Sequence, residues 1–146
     1  MSKTAERHDP VPGFRFTVTF DDLPPGGFSD CSGLQMETEV QEYAEGGLNG
    51  HTWKLPGRSK QGNVTLKRGI VNKSLWDWHH AIASGEFKAR NCTIVVHDPS
   101  GSDDVIEFQL VDAFLSKWVG PELSAGQNNV AIETIEVAHQ GLNRSK

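Results

Sequence analysis

Apolar and polar residues alternate in short runs along most of this chain, a period of two that predicts strands with one face on a core and the other toward water. Phe14, Phe16, Val18 and Phe20 alternate with Arg15, Thr17 and Thr19. The turn residues Asp-Asp-Leu-Pro-Pro-Gly-Gly at 21–27 break that run, and a second extended piece begins near Phe28 and reaches Ser32. Leu34, Met36, Thr38 and Val40 then alternate with Gln35, Glu37, Glu39 and Gln41, which predicts a long amphipathic strand. Val64 and Leu66 among Asn63, Thr65 and Lys67 predict another, bounded by Gly62 and Gly69.

One segment changes period. Leu75, Trp78, His79 and Ile82 fall at helical spacing, with Asn72 or Ser74 to cap the start and Gly85 to supply the left-handed residue at the end. Trp76 points away from that face, toward a neighbour. The β-branched run Thr93 to Val96 follows, and Asp98-Pro99-Ser100-Gly101 folds it back into Val105, Ile106, Phe108 and Leu110, a hairpin. The second arm runs through Ala113, Phe114 and Leu115 to Trp118, where the alternation changes phase as at a β-bulge, and Gly120-Pro121 stops it. After a polar stretch from Ser124 to Asn129, Val130 to His139 form a last strand. There Val130 and Ile132 share one phase and Ile135 and Val137 the other, so both faces are expected to be partly buried.

A length of 146 residues fits one core. No apolar run approaches the ~20 residues that span a bilayer, so no membrane insertion is expected of this chain. The polar start MSKTAERHDPVPG lacks the apolar region of a secretory signal, which predicts a protein made and kept in the cytoplasm. A formal net charge of −5 disfavours tight binding to nucleic acid phosphates. Cys31 and Cys92 lie far apart with no CxxC spacing and read as buried reduced thiols on strands.

Catalytic, cofactor and metal readings fail in turn. His79 and His80 are adjacent on the helix, whereas one metal favours ligands four residues apart, so they read as packing or capping residues. The pairs Asp21-Asp22 and Asp103-Asp104 sit in turns beside Gly or Pro, where Asp serves local backbone donors. Gly46-Gly47-Leu48-Asn49-Gly50 is glycine-rich but is followed by neither a Lys-Ser/Thr pair nor a helix, so it is no phosphate cradle. The expectation is therefore no enzyme, no cofactor and no metal.

In their order, DPVPGFRFTVTF, FSDCSGL, EYAEGG, KLPG, VTLKRG, LWDWH, the KW, GP and L of residues 117–123, and AIETIEVAHQGL resemble the tail tube proteins of contractile bacteriophages and phage-tail-like contractile injection particles, over Asp9 to Leu142. The resemblance implies a mainly β fold, a small antiparallel β-barrel or sandwich with one flanking α-helix. It implies six copies closing into a ring, and rings stacking into a hollow conduit for DNA or effector cargo. A contractile sheath would surround the tube, with a baseplate hub or spike and a terminating cap at its ends. The whole of 1–146 is then one tail tube domain, with 1–12 as an N-terminal arm.

Between the predicted strands, YAEGGLNGHTWKLPG at 43–57 reads as a long irregular loop carrying apolar side chains. Such a loop is a liability on a monomer and useful in an assembly, so Tyr43, Leu48, Trp53 and Leu55, with Trp76 on the helix, are the expected subunit contacts. The alternative is a loop folded over its own core with Trp53 plugging it. In the resembled family, amphipathic strands join around a polar lumen, a role that fits Gln35, Glu37, Glu39 and Gln41, and also Asn63, Thr65 and Lys67. An acidic wall would repel polyanionic cargo at short range. The competing functions are a type VI secretion ring protein, a β-sandwich carbohydrate-binding module using Trp53, Trp76 and Trp118, and, last, a hydrolase.

Overall fold

The structure, a computed structural model, describes residues 15–24, 27–44, 52–70, 72–98, 104–126 and 130–146. Phe14, the arm at 1–12, Leu48, the glycine run at 46–50, most of the turn at 98–101 and Asp103 lie outside them. Nine strands and one helix follow in the order β1 (Phe16–Phe20), β2 (Asp30–Ser32), β3 (Met36–Ala44), β4 (Thr52–Gln61), β5 (Val64–Gly69), α1 (Ser74–Ala83), β6 (Arg90–His97), β7 (Asp104–Val119), β8 (Ile132–Ala138) and β9 (Gly141–Arg144) among the described residues.

Seven strands form one curled antiparallel sheet in the order β1-β6-β7-β8-β5-β2, with β9 paired to β7. β7 is its spine. Its first half pairs with β6 on one side and β9 on the other, and its second half pairs with β8. The strand bends between these halves at Asp112, whose φ of 47 is left-handed and whose N–H donates to Asn91 Oδ1 at 3.1 Å. Buried positions pass from Leu110 to Ala113 and Leu115 across the bend, so the core face is kept while the alternation changes phase. A second slip lies between Leu115 and Lys117, close to the expected bulge before Trp118.

The concave side of the sheet is filled by Val18, Phe20, Val64, Leu66, Ile94, Leu110, Leu115, Ile135 and Val137, all buried. α1 adds Leu75 and Trp78. Trp78 packs edge-on to Phe20 at 5.2 Å between ring centroids and donates its Nε1–H to Lys88 O at 3.0 Å. The N-cap is Lys73, without a side-chain cap bond, rather than Asn72 or Ser74; Asn72 Oδ1 lies just before it, accepting from the Ser74 N–H at 3.1 Å and the Ser74 hydroxyl at 2.6 Å. At the other end Gly85, with φ of 98, donates its N–H to Ile82 O. Cys92 is buried and Cys31 half-buried, both as free thiols. Burial pushes the Cys31 thiol up to about 11 and raises Cys92 further still, so neither forms thiolate near neutral pH.

Two features depart from the periodicity. β9 was not expected, because Gly141 to Arg144 is too short and polar to show alternation. In β8 the buried residues are Glu133, Ile135 and Val137, while Val130 and Ile132 stay exposed, so only one of its apolar phases reaches the core. Glu133 lies directly opposite Arg68 of β5. Arg68 Nε donates to Glu133 Oε1 at 2.6 Å, with the two side chains only 5% and 2% exposed. Trp118 Nε1–H donates to the second oxygen, Oε2, at 3.0 Å, and the guanidinium lies over the Phe28 ring at 5.1 Å. Arg68 Nη2 also reaches Asn72 Oδ1 at 3.5 Å, which joins the pair to the helix start. Glu133→Ala is expected to lower unfolding free energy by about 3–5 kcal/mol in urea titration, because it strands a buried cation. The double variant Arg68→Met/Glu133→Leu is expected to lose less than Glu133→Ala alone.

Candidate functional site

β3 and β4 pair only with each other, as a separate two-stranded sheet. Tyr43 and Ala44 belong to β3 and Thr52 to Gly57 to β4, so the stretch expected to be an irregular loop is strand wherever the structure describes it. The breakers Pro56 and Gly57 concealed this. They sit at a register shift, where Thr38 pairs with Ser59 but Val40 with Pro56, leaving one extra residue on β4. A Cβ on Gly57 would press on Glu39 and Gln41, so the bulge needs a small residue there.

Neither face of the hairpin is buried. Every residue of β3 is exposed, including Met36 and Val40, which the alternation placed on a core. Only Leu34, just before the strand, packs against the core. On β4, Trp53 and Leu55 are about half exposed, at 50% and 49%. Trp53 is therefore no plug of this chain's own core.

Register then decides which candidates share a face. Gln41 lies opposite Leu55, Tyr43 opposite Trp53 and Glu37 opposite Lys60. Paired residues project to the same side, and alternate residues of one strand do too. Glu37, Glu39 and Gln41, read as a lumen set, thus share one face with Tyr43, Trp53 and Leu55, read as a contact set. Its charged half lies toward the body and its aromatic half toward the tip. Met36, Thr38, Val40 and Glu42 take the other face, with Gln61, Ser59, Pro56 and Lys54 opposite.

The charges are more mixed than β3 alone suggests. β3 carries Glu37, Glu39 and Glu42, and β4 carries Lys54, Arg58 and Lys60, three acids and three bases over the two faces together. Glu37 faces Lys60 and Glu42 faces Lys54 across the ladder, and Lys60 Nζ also lies 3.5 Å from Glu39 Oε1. The alternation on one strand could not reveal the bases supplied by the other.

Asn63, Thr65 and Lys67 sit elsewhere, on the β5 side of the sheet. Their neighbours Val64, Leu66 and Arg68 fill the core, which turns these three to the opposite face. Asn63 Nδ2 donates to Glu136 Oε1 at 2.8 Å, Lys67 is opposite Asp30, and Lys117 is opposite Glu136, so this face too is mixed in charge. Gln35 precedes β3 and lies over Gly62. Trp76 is apart from the hairpin set; it stacks on His80 at 5.8 Å and meets Trp118 edge-on at 4.9 Å. His79 Nδ1 lies 3.2 Å from Leu115 O, a packing role as expected. Among the described residues no group of three or more metal-binding side chains occurs.

Sequence reasoning missed Arg68, Glu133 and His139. The LKRG stretch and the acid in the apolar phase of AIETIEVA were the available signals, since a charge at a core-facing strand position requires a partner.

A curled antiparallel half-barrel with one short helix and a hairpin standing off the body defines a tube-forming class of β subunit. The family model described as T4-like virus tail tube protein gp19 matches residues 12–143, and the chain belongs to that family. It is a tail tube protein, a structural component of a contractile phage tail or a phage-tail-like injection particle. Among solved structures it is similar to a chain of the PVC sheath-tube complex in its extended state, an extracellular contractile injection system. That similarity has a TM-score of 0.85 and 25% identity, over 99% of this chain and 99% of that one. It is similar in fold to a chain of the anti-feeding prophage tube-terminating cap, with TM-score 0.88 and 23% identity over 98% and 95%. Hcp1 from Flavobacterium johnsoniae shares the fold more distantly, at TM-score 0.57 and 10% identity over 89% and 94%. No curated protein sequence matches the chain.

Lys60→Glu puts a third acid beside Glu37 and Glu39. It is expected to weaken the hairpin by up to about 1 kcal/mol, the usual worth of an exposed cross-strand pair. Faster amide exchange across β3 and β4, partly reversed by added salt, is the measurement; unchanged exchange would show that these pairs contribute nothing.

Proposed function

We propose that six copies close into a ring, that rings stack into the inner tube, and that the β3–β4 hairpin is the arm that joins subunits. The observation that carries this is a hairpin exposed on both faces, with Tyr43, Val40, Met36, Trp53 and Leu55 all open to solvent. An isolated two-stranded ribbon is marginal in water, and its apolar side chains gain from being covered. A ring closes by rotation while its upper and lower faces remain different, so stacking continues as an open filament.

The partners follow from this reading. The similarity to a chain of a sheath-tube complex supports a surrounding sheath, and similarities to chains of a baseplate and of a terminating cap support contacts at the tube's ends. The role is structural rather than enzymatic, and assembly from subunits made in the cytoplasm suits it. Glu37, Glu39 and Gln41, with Asn63, Thr65 and Lys67, line the conduit in this reading. Because Lys60 partly offsets Glu37 and Glu39, and Lys67 stands opposite Asp30, such a wall presents cargo with a weaker acidic field than β3 alone would.

Trp53→Ser/Leu55→Ser is expected to give a folded monomer that builds no tubes, since losing a large apolar anchor at an interface commonly costs ~2 kcal/mol or more. The core residues stay in place, so thermal unfolding should shift little. Negative-stain images and light scattering of wild type and variant are the measurement. A strictly monomeric wild type at every concentration would sink the proposal, and so would normal tubes from the variant.

A further inference from the structure

The hairpin joins the body through a short break in an otherwise continuous ribbon. Ser32 pairs with Thr65 and Met36 with Gln61, equal steps on the two strands, so the register crosses the break without slipping. Residues 33–35 and 62–63 are not strand. Gly33 is left-handed there, with φ of 89, and a Cβ on it would run into the Asn63 carbonyl. Gly62 lies under the exposed Gln35 side chain, which would have to move aside for a Cβ there. Glycine is thus required at 33, where the ladder is missing, and across the break no ladder bonds set the hairpin's direction.

Side chains from the β8 end span this break. His139 Nε2 lies 3.1 Å from the Gly62 carbonyl, and Asn63 Nδ2 donates to Glu136 Oε1 at 2.8 Å. A carbonyl only accepts, so Nε2 carries the hydrogen in this contact. The ring's Nδ1 is buried with no hydrogen-bond partner among the described residues. The ring's one recorded hydrogen bond is therefore the donation to Gly62, and an unpaired buried Nδ1 leaves it no competing partner among the described residues.

We propose that His139 and the Asn63–Glu136 pair are positioning residues that set the angle at which the hairpin leaves the body. The consequence for assembly rests on the arm reading given above: a pre-aimed arm has less freedom to lose when it docks.

The test uses the full chain below the concentration at which it polymerises. Nitroxides are placed at Lys54→Cys on the hairpin and Gln109→Cys on β7 in a Cys31→Ser background, Cys92 being fully buried. Pulsed electron resonance then reads the distance distribution. His139→Asn carries its amide at the depth of Nδ1, loses the bond to Gly62, and is expected to broaden the distribution; adding Asn63→Ala should broaden it further. His139→Gln restores an N–H where Nε2 stood and is expected to return the wild-type width, a rescue that a space-filling role would not predict. Equal widths in wild type and folded His139→Asn would overturn the proposal, as would failure of the glutamine rescue. Should His139→Asn not fold, Asn63→Ala alone decides in the same way. Tube growth on the same samples separates the two ideas. Broadening with slower growth supports both, whereas broadening with normal growth keeps the latch and removes the arm reading.

Discussion

The ion pair between Arg68 and Glu133 is the constraint on which the rest of this molecule depends. Two charges this deeply buried are tolerable only when each meets the other and the remaining polar atoms are also satisfied. Trp118 supplies the second donor to Glu133, Phe28 covers the guanidinium, and Asn72 links it to the start of α1. Sliding β5 by one residue against β8 would swing Arg68 or Glu133 to the wrong face and bury the other alone. The pair therefore fixes the register of β5 on β8, which in turn places everything attached to β5.

What is attached at the first residue of β5 is the hairpin, and its energetics are the opposite. The body owes its stability to buried apolar residues, while the ribbon of β3 and β4 holds itself by ladder bonds, cross-strand charge pairs and the Thr38 to Ser59 hydroxyl contact at 3.1 Å. In the proposed assembly that division has a use. The core fixes each subunit's shape, and the exposed apolar ribbon remains available for association. Equal numbers of acids and bases along the ribbon would, in that reading, limit repulsion between repeated copies.

Most of the strands, though not β4 or β9, together with the helix and its Gly85 end, the bulge late in β7 and the family itself, could be read from residue order. Each depends on neighbours a few positions apart: alternation, helical spacing, turn residues and short motifs are local. The tertiary structure alone decided the rest. It turned Pro56 and Gly57 from loop breakers into a bulge within β4, because the partner strand could absorb an extra residue. It exposed Met36 and Val40, because alternation reports a strand and not whether anything lies beneath it. It put Glu37 and Trp53 on one face, buried Glu133 against Arg68, and brought His139 to Gly62, since these meetings join residues from sixteen to seventy-seven positions apart. Local pattern selects the elements from a small set of backbone conformations, but which side chains meet across them follows from register and curvature, quantities that exist only once the sheet has closed on its core.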